Sequence, residues 1–144
     1  MTGYKAYQGN QVDGATPLGL VLLTYDALYK SLGRARLGVE SKDMMLESEQ
    51  TARALEALIE LSTSLNMEEG GEVAVNLARL YIYMNERLVS DMCSGSVVAI
   101  DETMALTQTL RDAWKGLDDR QRKPAMRSQA SMGGMQTATA AYGY

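Results

Sequence analysis

Cys93 is the one thiol in the chain, and a cysteine becomes a nucleophile only where a neighbouring base or cation holds its thiolate. The chain has no histidine, which removes the commonest acid–base catalyst and the commonest metal ligand together. A serine or cysteine nucleophile would need an unusual base. One cysteine also forms neither an intrachain disulfide nor a thiolate metal cluster. Among the carboxylates, Glu68, Glu69 and Glu72 cluster at a helix junction, where without further ligands they suit a helix dipole better than a metal ion. Di-metal helical bundles need paired Glu-x-x-His motifs, and there is no His to make one. The pairs Gly70–Gly71 and Gly133–Gly134 lack the lysine and context of a phosphate loop. Catalysis is not expected, and neither is a metal or a cofactor.

Composition narrows the remaining classes. A chain of 144 residues is long enough for one domain with a real core and too short for two comfortable ones. Eight Tyr and ten Met stand against no Phe and one Trp, a balance that suits both a helical core and a surface that adapts to partners. A net charge of -4 argues against nucleic acid binding through the folded body. No segment has the apolar core of a signal peptide, and no run of eighteen apolar residues exists, so a soluble cytoplasmic protein without stable membrane insertion is expected.

The elements that must position any functional side chain are helical. Thr16–Pro17 is a helix start, followed by Leu18, Leu22, Tyr25, Tyr29 and Leu32 at helical spacing and a stop near Val39 or Glu40. Gly33 and Gly38 fall inside this helix, each costing up to ~1 kcal/mol unless close packing requires it. Ser41–Asp43 breaks the chain, with Asp43 suited to cap a second helix from Met44 to about Leu65. There Thr51, Leu55, Leu58, Ser62 and Leu65 form the inward stripe, and Glu47, Glu49, Glu56 and Glu60 an acidic outer face. Gly70–Gly71 supplies a turn before the third helix, and Ser96 caps a fourth, from Val97 to about Leu117, with Ala99, Thr103, Leu106, Leu110, Ala113 and Leu117 inward. The fold expected is all-α, an antiparallel up-and-down four-helix bundle over 16–117, with a separate N-terminal segment over 1–15. Residues 118–144 read as a disordered, low-complexity tail that contributes nothing to partner binding; its Arg120, Arg122, Lys123 and Arg127 fit a solvated linker better than contact with an anionic surface.

The third helix, Glu72 to Cys93, is apolar on more of its circumference than one packed face requires. Val73, Leu77, Leu80, Met84 and Leu88 form one stripe and Val75, Ile82 and Val89 a second, leaving water a strip around Asn76, Arg79, Asn85 and Glu86. Such a helix is either central in its domain or keeps an apolar face for something outside the chain.

Several segments together resemble the family of the flagellar secretion chaperone FliS. They are AYQ at Ala6–Gln8, ATP with LTYD ending at Asp26, RARL at Arg34–Leu37, GGEVAVNLARLY at Gly70–Tyr81, YMNERL at Tyr83–Leu88 and DAWKGL at Asp112–Leu117. The resemblance covers roughly residues 4 to 117. It implies an antiparallel helical bundle that binds the C-terminal segment of flagellin in the cytoplasm, blocks premature polymerisation, and docks on the gate of the flagellar type III export apparatus. It also implies that the N-terminal segment, matched by Tyr4 to Tyr7, caps part of the binding surface in the free protein. The residues expected to meet the partner are Tyr4, Tyr7, Tyr25, Val75, Tyr81, Ile82, Met84, Leu88 and Val89. The competing reading is a structural bundle whose extra apolar face is a permanent homodimer interface.

Overall fold

The computed structural model describes residues 17–122 and 141–142. Pro17 carries no amide hydrogen and fixes its own φ, so it begins a helix without leaving a donor unpaired. Helix α1 runs Pro17–Glu40, α2 Met44–Thr63, α3 Met67–Asp91 and α4 Val98–Arg122. Helix α4 thus extends past the expected end at Leu117. The helices pack in a ring, α1 on α2, α2 on α3, α3 on α4 and α4 back on α1. The closest backbone approaches join α1 to α2 and α4; α3 stands further from both of its neighbours.

Local chemistry sets the boundaries. Asp43 caps α2, its carboxylate accepting from the Leu46 amide at 3.0 Å. Asn66 caps α3 in the same way through the Glu69 amide, at 3.0 Å. The expected glycine turn lies one turn inside α3, where Gly71 at φ 52° kinks the helix, a conformation that costs a residue with a Cβ far more. The Ser96 hydroxyl accepts from the Val98 amide at 3.1 Å as α4 begins.

Glycine at position 38 answers a packing demand. A Cβ there would lie 2.6 Å from the Glu47 amide nitrogen, because α2 begins hard against the end of α1. Gly33 answers none: its Cβ would meet only the Met104 methyl, at 3.9 Å.

The core joins Leu18, Tyr25, Leu28 and Leu32 of α1 to Ala54, Leu58 and Leu61 of α2, Tyr81, Met84 and Leu88 of α3, and Ile100 and Trp114 of α4. Two expectations about facing are corrected. On α2 the inward set is Glu47, Gln50, Thr51, Ala54, Ala57, Leu58 and Leu61, rotated from the expected stripe, while Ala52 and Ile59 face solvent. Glu47, expected on the acidic outer face, is buried because its Oε2 accepts the Cys93 amide hydrogen at 2.8 Å in the α3–α4 turn. On α4, Ala99 and Thr103 are buried as expected, but Thr107 joins them and Ala113 is exposed. Both threonines satisfy their hydroxyls on carbonyls of their own helix, so burial leaves no polar atom unpaired.

Candidate partner-binding surface

Ion pairs fix which flank of α3 faces which neighbour. Tyr83 and Arg87 both hydrogen-bond Glu102 of α4, each at 2.9 Å. Tyr81, Met84 and Leu88 point into the core. At 100° per residue, Ile82 and Val89 then lie on the opposite flank from Arg87, towards α2. Both are about half exposed, at 56% and 49%. On α2, Glu60 lines a cleft shared with α1, which places Ile59 and Leu55 on the flank facing α3. Ile59 is 53% exposed and Leu55 half-buried. With the helices antiparallel and the Cys93 amide on Glu47, Ile82 falls roughly level with the turn from Leu55 to Ile59. An apolar stripe therefore follows the seam between α2 and α3, where the backbones are more widely spaced than at the α1–α2 contact.

A second feature lies at the end of the bundle, where hydroxyls replace hydrocarbon. The Trp114 indole N–H donates to the Tyr25 hydroxyl at 3.1 Å. The Tyr25 and Tyr81 hydroxyls lie 2.5 Å apart, and those of Tyr81 and Tyr142 are again 2.5 Å apart. Each phenol has one proton to give. The indole N–H can only donate, whereas each phenol can give or accept, so the three hydroxyls share their protons along one chain of hydrogen bonds. The relay runs from Trp114 through Tyr25 and Tyr81 to Tyr142, and no described buried side-chain N or O atom lacks a partner. Burial is the first cause raising the Tyr25 and Tyr81 hydroxyls above the ordinary phenol range, so both are neutral at neutral pH.

Ala141 and Tyr142 complete this end. The Asn66 amide donates to the Ala141 carbonyl at 2.6 Å, and Ala141 is fully buried. Composition gave no reason to expect any such contact from residues 118–144. A cleft of about 150 Å³ between α1 and α2, lined by Pro17, Leu20, Val21, Leu61 and Ser64, opens beside the Tyr142 side chain.

The residues expected at the partner surface separate into three groups. Tyr25, Tyr81, Met84 and Leu88 are core residues and present almost nothing to solvent. Val75, Ile82 and Val89 share the flank of α3 that faces α2, with Ile82 and Val89 the exposed pair. Tyr4 and Tyr7 lie outside the described residues. Sequence reasoning did not assign Leu55 and Ile59 to this surface, nor Asn66, Gly70, Trp114 and Tyr142 to the hydroxyl relay and its surroundings. Among the described residues no group of acidic or thiol side chains is arranged to hold a metal ion, and no helix is long and apolar enough to cross a membrane.

Comparison with known proteins gives one consistent result. The family described as flagellar protein FliS matches residues 1–121. The chain is 34% identical to the flagellar secretion chaperone FliS of Salmonella typhimurium, over 79% of this chain and 88% of the relative. It is 32% identical to the protein of the same name from Bacillus subtilis, over 83% and 89%. The flagellar secretion chaperone FliSB of Pseudomonas aeruginosa is 33% identical, over 81% and 96%. A match across the whole four-helix body, joined to relatives covered over nearly their full length, means that the chain belongs to the FliS family.

Proposed function

We propose that this chain is a flagellar export chaperone that binds the C-terminal segment of flagellin, in the cytoplasm, as an amphipathic helix laid along the seam between α2 and α3. The observation that carries this reading is the exposed pair Ile82 and Val89. Two large apolar side chains sit one above the other, two turns apart, on a helix whose core face is already filled. An amphipathic helix presenting apolar groups at i, i+3, i+4 and i+7 has the spacing to cover them, and Leu55 and Ile59 supply the facing wall. The family's naming as secretion chaperones supports a client bound without chemistry. A bound client kept from its own polymerisation contacts needs only this kind of surface cover. Delivery to the flagellar export gate follows from the same reading.

Substitution at the seam tests it. Ile82→Asp and Val89→Asp each put a charge where the client would exclude water, and leaving that charge unpaired costs a few kcal/mol, about 1–3. Both variants are expected to keep the helical circular dichroism of the parent and to lose ten- to a hundredfold in affinity for a synthetic flagellin C-terminal segment. Melted or insoluble variants would make these residues core; folded variants with full affinity would move the client elsewhere.

A further inference from the structure

The bundle holds Ala141 and Tyr142 as it would hold a ligand. Three contacts frame them, and each one selects. The Asn66 amide, 2.6 Å from the Ala141 carbonyl, selects a peptide backbone. Gly70 lies so close that a Cβ added to it would stand 2.6 Å from the Ala141 Cα, and Ala141 is itself fully buried, so only a small residue enters here. Trp114 meets the Tyr142 ring edge-on, with centroids 5.3 Å apart and planes at 71°, and selects an aromatic ring.

The hydroxyl relay adds a fourth demand. The Tyr81 hydroxyl, bonded on one side to Tyr25, meets the Tyr142 hydroxyl at 2.5 Å on the other. Tyr81 is buried, so an empty socket leaves its hydroxyl without this partner. The site therefore favours an oxygen at the tip of the aromatic ring.

We propose that the socket framed by Asn66, Gly70, Tyr81 and Trp114 is a binding site for a small residue followed by tyrosine, filled by Ala141–Tyr142 as an intramolecular ligand that competes with the client. Competition rests on the flagellin reading above; the site itself does not. The two surfaces adjoin, since Val75 of the seam follows Gly70 by little more than one helical turn. A tethered occupant acts at an effective concentration on the order of millimolar, so a weak contact suffices to keep the socket filled.

Trp114 is the chain's one tryptophan and reports directly on the site. The test uses the full chain, its Tyr142→Ala variant, and a synthetic peptide of residues 137–143. Tyr142→Ala is expected to move Trp114 emission to longer wavelength, and added peptide to move it back. The variant should bind the peptide at least tenfold more tightly than the parent, whose socket is occupied. The same peptide carrying Tyr142→Phe should bind several-fold more weakly. Ala141→Arg, which has no room beside Gly70, must reproduce the emission change. Unchanged emission in both variants, or equal peptide binding by parent and Tyr142→Ala, overturns the proposal. A flagellin C-terminal segment should bind Tyr142→Ala at least threefold more tightly than the parent. Equal affinities there overturn the competition and leave the flagellin reading intact. Failure of the segment to bind either protein overturns the flagellin reading and with it the competition, while the peptide still decides the site.

Discussion

Burial pushes the ionisation of the Tyr25 and Tyr81 phenols to higher pH, and the direction of that shift decides how the fold responds to alkali. The folded chain keeps two protons that the unfolded chain releases near pH ~10. Their contribution to stability is full below that pH and is lost as pH rises above it. Denaturant midpoints should therefore fall above pH ~10, with the buried tyrosines ionising only as the chain unfolds, read from tyrosinate absorbance. Tyr81→Phe interrupts the relay and removes the hydroxyl partner of buried Tyr25; a loss of about 1–3 kcal/mol in denaturant unfolding is expected. The carboxylates shift the other way. Hydrogen bonds from Arg36 to Asp101 and from Arg87 to Glu102 hold both below their ordinary range, so what they add is present above pH ~4 and lost as pH falls further. Both pairs are exposed, which makes the acid limb shallow and sensitive to salt.

Helix by helix, the chain's own boundaries were legible because they are written in local chemistry. Thr16–Pro17, Asp43, Gly70–Gly71 and Ser96 mark breaks by what their backbones and side chains permit, and the structure places starts or kinks at or beside each of Pro17, Asp43, Gly71 and Ser96. Facing was harder to read on α2. Its core side carries Glu47, Gln50 and Thr51 together with small alanines, and Glu47 turns inward only because a partner amide waits at Cys93, forty-six positions away. No local pattern announces that. The glycines of α1 make a testable contrast. Gly38→Ala drives a Cβ into the α2 backbone and should cost about 2 kcal/mol or more, whereas Gly33→Ala has room and should gain up to ~1 kcal/mol, both from denaturation midpoints. Cys93 stands at φ 62° in the α3–α4 turn. Cys93→Gly removes that left-handed strain and should stabilise by up to ~1 kcal/mol in the same assay.

Across the whole molecule, the seam was half legible. Val75, Ile82 and Val89 stood out as a second stripe on α3, but periodicity says nothing about which neighbour that stripe faces, so Leu55 and Ile59 across the seam went unassigned. Met84, Leu88, Tyr25 and Tyr81 were grouped with the surface because apolar and tyrosine side chains look alike whether they fill a core or line a groove. The end socket was hidden by composition: Ser, Gly, Ala and Thr around Ala141–Tyr142 signal no packing. A faint signal existed, since the pair Ala-Tyr occurs twice in the chain, at Ala6–Tyr7 and at Ala141–Tyr142. The proposed client, a flagellin C-terminal segment on the α2–α3 seam, can be weighed against a second copy of the chain by its stoichiometry. Titration calorimetry of the full chain with that synthetic segment, across several temperatures, tests it most directly. One segment per chain, a negative heat-capacity change from apolar burial, and loss of the signal in Ile82→Asp are expected. A tight homodimer that ignores the segment would contradict the proposal and give the stripe to a second copy of the chain.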